Sequence, residues 1–298
     1  IDIKATGLNW SEVMIRRGDW PMEFGDGLTL GVEGAGIVEA IGPEVEDIKP
    51  GDRVANFELL AYELPGQGNY AEKIVVAEDK VLKIPDHLNF AEAAAIPAAM
   101  LTAYDALIKH TPLPETGTVV ITACTGAVGI AALQLARRKG LRVIGTTRSK
   151  SKKSAIAALG VEVVVETDAV RLKEKISDLV GESGIDYVFD AVNGFTATQL
   201  LQIMGENSSF VNYGLLSGSE FTVSPTLLFN QVKIHGYVVL KNLANPQTLQ
   251  AVWGEVLALI EDREVIIPVA KKFPLAEVSA AHRYFEENQY FGKLVLVQ

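Results

Sequence analysis

Between Thr118 and Gly140 the chain reads TVVITACTGAVGIAALQLARRKG, and its small residues, Ala123 to Gly129, are placed to do chemistry. A turn built of Ala, Cys, Thr, Gly, Ala, Val and Gly lets an anion approach the backbone. The helix that follows offers its first N–H groups and the positive end of its dipole to that anion. Gly126 and Gly129 fit the last two glycines of a G-x-G-x-x-G fingerprint, while Cys124 stands where the first would be, so the spacing is better written Ala123-x-x-Gly126-x-x-Gly129. Gly126, Ala127 and Val128 are therefore the candidate pyrophosphate contacts of a dinucleotide. The pattern alone also fits an ordinary tight turn in another α/β protein.

A second group lies some twenty residues on, in Gly145-Thr146-Thr147-Arg148-Ser149-Lys150-Ser151-Lys152-Lys153. A site for NAD wants an acidic side chain near here to hold the ribose 2′-hydroxyl. No acid is present. Thr147, Arg148, Ser149 and Lys152 instead offer donors and charge for a 2′-phosphate, which points to NADPH. A solvated basic helix start is the alternative.

Composition narrows the rest. At 298 residues the chain can bury a sizeable core and divide into about two domains, and 48% hydrophobic with 21% charged residues is ordinary for a globular enzyme. The net charge of −10 argues against a nucleic-acid-binding face and fits a cytoplasmic protein. No run of eighteen apolar residues is present, so no membrane span is expected. The single cysteine, Cys124, excludes an internal disulfide framework and any multi-cysteine zinc site. At a helix N-terminus it is either a reactive thiol or a small buried residue of the turn. His87, His110, His235 and His282 are scattered without metal-ligand spacing.

The elements that must position these groups fall into three stretches. Residues 1–97 are glycine-rich, with short β-branched runs at Gly36–Val38, Asp52–Val54, Lys73–Val76 and Lys80–Ile84. They are separated by turn signals at Gly25-Asp26-Gly27, Gly42-Pro43, Lys49–Asp52 and Pro65–Gly68, an all-β, barrel-like pattern. Asn89 and Glu92 suggest a helix start, and 98–110 reads as a helix. From 117 to 240 strand and helix alternate. Strands are expected at Val119–Ile121, Arg142–Thr146, Glu162–Val165, Asp186–Asp190, Ser208–Tyr213 and Val232–Val239. Helices are expected at 127–138, 150–159, 168–180 and 194–203. This is the pattern of an α/β, Rossmann-type doubly wound parallel sheet. Residues 246–262 read as a helix and 270–298 as strand, helix, strand. The last piece is too small to stand alone and is expected to pack back on the first.

With these motifs in order, the chain resembles the medium-chain dehydrogenase/reductase superfamily, in its zinc-free quinone oxidoreductase (zeta-crystallin-like) branch. The resemblance rests on Ala5-Thr6-Gly7-Leu8-Asn9, Gly31-Val32-Glu33-Gly34-Ala35-Gly36, Gly51–Val54, Ala93–Pro97 with Leu101-Thr102-Ala103, Ala123–Gly129, Val188-Phe189-Asp190, Tyr213-Gly214 and Gly292-Lys293. It covers essentially the whole chain. It implies a GroES-like irregular β-barrel catalytic domain from 1–98 and 243–298, around a Rossmann domain from 99–242. The family's extra residues before the Asn motif lead one to expect a start upstream of Ile1. The resemblance places Asn9 and Thr102 beside the nicotinamide as the catalytic pair. It puts the backbone at Val192, Tyr213 and Gly214 against the ring, and Lys293 at the cofactor end of the cleft.

Zinc-dependent relatives carry Cys-His after Ala-Thr-Gly and a later Gly-His-Glu. Here the same places read Asn9-Trp10 and Gly31-Val32-Glu33, so no metal is expected. Two departures concern the ligands. Glu166 stands where many relatives have a tyrosine supporting the adenosine phosphate, and Trp10, Glu12 and Met14 replace Pro, Asp and Tyr. Trp10, Trp20, Tyr62 and Tyr70 are candidates either to stack on a flat substrate or to fill the core.

The reading is an NADPH-dependent reductase of quinones or conjugated enones. Its expected partners are a small-molecule substrate and a second copy of itself, joined through Val232–Val239, with neither nucleic acid nor membrane. The alternatives are a zinc alcohol dehydrogenase, an enoyl-thioester reductase and a non-catalytic NADPH-binding protein.

Overall fold

The computed structural model describes residues 1–20, 27–57, 68–218 and 220–298. Among the described residues the strands are, in chain order, β1 (Asp2–Gly7), β2 (Glu33–Ile37), β3 (Arg53–Phe57), β4 (Val81–Lys83), β5 (Thr118–Ile121), β6 (Arg142–Thr147), β7 (Glu162–Val165), β8 (Ile185–Asp190), β9 (Met204–Asn212), β10 (Lys233–Gly236), β11 (Val269–Pro274) and β12 (Lys293–Val297). The chain divides into two units: Ile1–Leu101 with Leu243–Gln298, and Thr102–Asn242.

The first unit is built on a sheet of order β11-β12-β1-β2-β3-β4. β1 pairs antiparallel with β12, Ala5 facing Val297, so the two ends of the chain lie side by side at the middle of the sheet. Helix Val278–Glu287 has a strongly one-sided apolar pattern and packs Ala281 and Phe285 against Leu8, Val13, Phe273, Leu294 and Leu296. Helix Pro246–Glu261 starts where Asn245 accepts from the Thr248 N–H at 3.0 Å, with proline in the first turn where no backbone donor is needed. One expected strand is absent. Lys73–Val76 has β-branched residues, but only Lys73 bridges, to Asp2, and Val75 is exposed.

The second unit is a six-stranded sheet of order β10-β9-β8-β5-β6-β7, parallel throughout. The chain runs outward from β5 through β6 to β7, then returns to the other side of β5 with β8, β9 and β10. The strand order reverses between β5 and β8, the place where doubly wound sheets bind ligands beyond the carboxyl ends of their strands. Val120, Ile144, Val188 and Phe210 are fully buried, as strands covered on both faces require.

Helix Ala127–Arg138 spans the residues its apolar pattern dictates. Three other elements are shorter or different. The run expected at 150–159 is a 3₁₀ turn, Lys150–Lys152, followed by helix Lys153–Ala157. The last strand covers Lys233–Gly236 rather than Val232–Val239, and Val239–Asn242 turns helical. Residues 98–110 are helix Pro97–Tyr104 continued by a π-helical segment, Asp105–His110, where buried Asp105 accepts from Tyr237 Oη at 2.8 Å. The stretch Phe90–His110 is long and apolar enough to cross a membrane, but its most apolar part is mostly buried inside the protein, as a core helix is.

Candidate active site

In the second unit the groups expected to hold a dinucleotide come from the ends of β5, β6, β8 and β9. β5 runs into a turn in which Ala123 takes φ +47°, a left-handed conformation rare for a residue with a Cβ. The turn then enters helix Ala127–Arg138 through Gly126, which has no side chain to cap the first N–H groups. A Cβ on Gly126 would meet only Ala123 O, at 3.7 Å, so the space before the helix N-terminus is open for an anion. A Cβ on Gly129 would lie 2.7 Å from Ala123 O and from Cys124 Cα, so glycine lets the helix close on the turn.

Cys124 is fully buried and its thiol donates to Thr146 O at 3.1 Å. Burial pushes the thiol up to about 12, so the cysteine is a small residue of the turn and not a nucleophile.

At the end of β6, Thr147 is buried and its hydroxyl accepts from the Ser149 N–H at 3.2 Å. Arg148 is exposed, while Lys152 is 6% exposed. Burial, then repulsion by Arg148, lowers the Lys152 pKa. Arg148 and Lys152 thus set two positive charges near the end of β6. Glu166 does not oppose it. Its carboxylate is engaged by Lys175 at 2.7 Å and by the Thr167 and Asp168 N–H groups, which hold it down to about 2.

Asp190 is the residue whose role sequence reasoning missed. It is fully buried at the end of β8. Its carboxylate accepts from Thr122 Oγ1 at 2.6 Å, Asn193 N at 2.7 Å, Val192 N at 3.1 Å and Asn212 Nδ2 at 3.3 Å, while its carbonyl accepts from Tyr213 N at 2.9 Å. Burial raises its pKa and these bonds oppose the rise. The carboxylate therefore fixes the loop that carries Val192 and the Asn212 side chain, while the Asp190 carbonyl holds the Tyr213 backbone. Tyr213 also stacks on Phe189 with ring centroids 4.0 Å apart. The signal in the sequence was an acidic residue ending an apolar run, Tyr187-Val188-Phe189-Asp190, where a charge demands a reason.

In the first unit Asn9 ends the segment after β1 and caps helix Trp10–Arg17. Its Nδ2 donates to Glu33 Oε1 at 2.9 Å, and Lys293 Nζ donates to its Oδ1 at 2.6 Å. Lys293 and Glu33 form an ion pair at 2.5 Å with side chains 4% and 0% exposed. Glu33 Oε2 accepts from the Ala98 N–H at 2.7 Å. Gly7 explains the glycine of its motif: a Cβ there would lie 2.6 Å from Glu33 Oε1 and 2.8 Å from Lys293 Cε. Buried Glu12 accepts from the backbone N–H groups of Asn9 and Val32. Burial raises it to about 7, against the pull of Lys293.

Thr102 is buried, one helical turn after Ala98 on helix Pro97–Tyr104. Trp10 packs on Phe285 at 5.8 Å, and Tyr70 meets His282 edge-on with its hydroxyl 3.1 Å from Nε2. Both rings lie against the core of this unit. Trp20 is half-buried, and Tyr62 lies outside the described residues, as do most residues of the Gly25–Gly27 and Pro65–Gly68 turn signals.

Among the described residues no three His, Cys, Asp or Glu side chains gather as metal ligands would. At the places that hold zinc in the metal-dependent relatives, Glu33 is the one side chain of ligand type. Both of its oxygens are committed, to Lys293 and Asn9 on one side and to the Ala98 N–H on the other. Among the described residues these places present no set of zinc donors.

A doubly wound sheet with an open helix N-terminus at its switch point, and a separate unit whose sheet pairs β1 with β12, make up the architecture of a dinucleotide-dependent dehydrogenase. Residues 1–86 match the alcohol dehydrogenase GroES-like domain and residues 127–261 the zinc-binding dehydrogenase domain. The chain is 31% identical over 298 residues to a quinone oxidoreductase of Pseudomonas aeruginosa, covering 99% of this chain and 89% of that protein. The solved structure of Escherichia coli quinone oxidoreductase complexed with NADPH superposes with a TM-score of 0.89 at 27% identity, over 100% of this chain and 90% of that one. CurK enoyl reductase superposes with a TM-score of 0.85 at 25% identity, over 100% and 90%. Some similar proteins are far longer: the chain spans 8% of the erythronolide synthase EryA2 of Saccharopolyspora erythraea. The chain belongs to the medium-chain dehydrogenase/reductase superfamily, in its quinone oxidoreductase (zeta-crystallin-like) branch.

Proposed function

We propose that the chain is an NADPH-dependent oxidoreductase that reduces a quinone or conjugated enone without zinc. NADPH supplies a hydride when bound. Its pyrophosphate is held at the open helix N-terminus by Gly126, Ala127 and Val128. Its 2′-phosphate is held by Thr147, Arg148, Ser149 and Lys152, and its nicotinamide by the backbone at Val192, Tyr213 and Gly214 with Asn9 and Thr102.

The observation that carries the reading is the Asn9–Lys293–Glu33 cluster. It supports the reading by offering hydrogen-bonding groups and a balanced ion pair in place of a Lewis acid. Reducing a simple ketone places full negative charge on one oxygen, which calls for a metal or a strong donor there. A quinone or enone spreads that charge through its conjugated system. Positioning is then the main demand on the protein, and near-attack geometry alone can contribute several kcal/mol.

An enoyl-thioester reductase is the second reading, favoured by the likeness to an enoyl reductase structure. NADPH oxidation against quinones, enones, enoyl thioesters and saturated ketones separates the two. Fast turnover of a saturated ketone would sink both.

We further propose a cytoplasmic homodimer paired through β10. That strand is outermost in its sheet and exposes Ile234, and the short helix before it exposes Leu228 and Phe229.

A further inference from the structure

The carboxamide of Asn9 has two ends of opposite polarity, and its neighbours are charged. The Lys293 ammonium lies 2.6 Å from Oδ1 and the Glu33 carboxylate 2.9 Å from Nδ2. Turning the amide over would set its NH₂ against the ammonium and its oxygen against the carboxylate, two repulsive contacts in a buried setting. The ion pair thus selects one of two otherwise isosteric orientations. It is itself held from outside: Glu33 Oε2 is fixed by the Ala98 N–H, and the backbone of Lys293 donates to Pro268 O at 2.8 Å.

One amide hydrogen of Asn9 goes to Glu33. For the other, the acceptors among the described residues are Gly7 O at 3.4 Å and Glu12 Oε1 at 3.5 Å, both at the limit of a hydrogen bond. Asn9 is half-buried, so this hydrogen is open to a ligand.

We infer that Lys293 and Glu33 are positioning residues that lock Asn9 as a hydrogen-bond donor to a carbonyl-type oxygen of the bound ligand. The inference rests on the reading of this unit as the catalytic one, and it assigns Lys293 to Asn9 rather than to direct cofactor contact. A carbonyl oxygen has two sources here, the electrophile and the carboxamide of the nicotinamide. A group that can only donate, such as an ammonium, is refused.

The test uses the whole chain with asparagine labelled in ¹⁵N, the Asn9 side-chain signals being identified by their loss in Asn9→Ala. NADP⁺ and duroquinone are added in separate samples. One of the two amide proton signals should move with one of these probes, and the probe that moves it names the source. The double variant Lys293→Met with Glu33→Gln removes both charges together, leaving no lone buried ion. It should stay folded, lose that response, and lower kcat tenfold or more while KM changes less than twofold. Lys293→Arg should keep both the response and the turnover. No movement of either proton with either probe overturns the inference, as does wild-type kcat in the double variant. Failure of the wild type on every electrophile would sink the functional reading instead, and the NADP⁺ sample would still test the lock.

Discussion

The hydroxyl of Thr122, at the end of β5, donates to Asp190, at the end of β8, at 2.6 Å, and then accepts from the Ala191 N–H at 3.0 Å. The bond ties together the two strands between which the sheet order reverses. Asp190→Ala would leave several buried donors without an acceptor. We expect it to destabilise the protein by about 3 kcal/mol or more, read as a lowered midpoint in urea. NADPH affinity should fall in the fraction that stays folded, because the Val192 and Asn193 backbone loses its anchor. An unchanged midpoint would mean that the loops hold themselves.

Cofactor choice should rest on Arg148 and Lys152. A charge-assisted contact to a phosphate contributes roughly 1.5–3 kcal/mol, or about ten- to a hundredfold in affinity. Arg148→Ala with Lys152→Ala should erase most of the preference for NADPH over NADH in fluorescence titrations. Glu166→Gln should change it little, because that carboxylate is turned to Lys175. Equal binding of both cofactors by the unaltered protein would refute the assignment.

Glu12 should make stability depend on pH. Burial raises it from 4.5 to about 7, with Lys293 and the Asn9 and Val32 N–H groups opposing the rise and Glu33 adding to it. Between those two values the folded protein keeps a proton that the unfolded chain has released. Stability from this group is therefore full at low pH and declines as pH climbs from about 4.5 through 7. A displacement of that size corresponds to about 3 kcal/mol at most. Glu12→Gln should flatten this part of the urea-midpoint profile. An identical slope in the variant would rule the group out.

Purified protein should carry no stoichiometric zinc. Asn9 and Val32 stand where soft ligands would be, and Glu33 is spent on an ion pair and a backbone N–H. Elemental analysis decides the point, and zinc removed by a chelator together with activity would overturn it.

Light scattering at micromolar concentration should give the mass of a dimer, and Ile234→Lys should lower it toward that of one chain. A monomer in the unaltered protein would leave the β10 edge without a partner.

The second unit was largely legible because its strands are short apolar runs, and β5, β7 and β8 are each followed by a helix of plain periodicity. Helix Ala127–Arg138 and the small-residue turn before it need no long-range contact to be recognised. The first unit was less so. Lys73–Val76 has the right residues, but its pairing is limited to the bridge between Lys73 and Asp2 and the bonds that Ile74 exchanges with Ile1, too short a ladder for a strand. The strand at Val232 was read too long, because the apolar run continues through Tyr237, Val238 and Val239 after the pairing with β9 ends at Gly236. The π-helical segment at Asp105 hides in a pattern that hydrophobic spacing cannot separate from an ordinary helix. At the site, the residue types were legible but their partnerships were not. Asn9 and Lys293 are 284 positions apart and meet because β1 pairs with β12.

That pairing has a consequence for how the chain is made. The sheet of the first unit has β12 seated between β1 and β11, so it cannot be completed until the last strand has left the ribosome. The second unit is one unbroken segment, Thr102–Asn242, and is free to form while synthesis continues. During that interval β1 to β4 are held without their central neighbour, and the apolar faces of Leu8 and Val13 wait for Leu294 and Leu296. The unit whose first strands are made before the second unit is thus completed after it. A chain cut short before β12 would expose an unpaired strand edge in the middle of its own sheet.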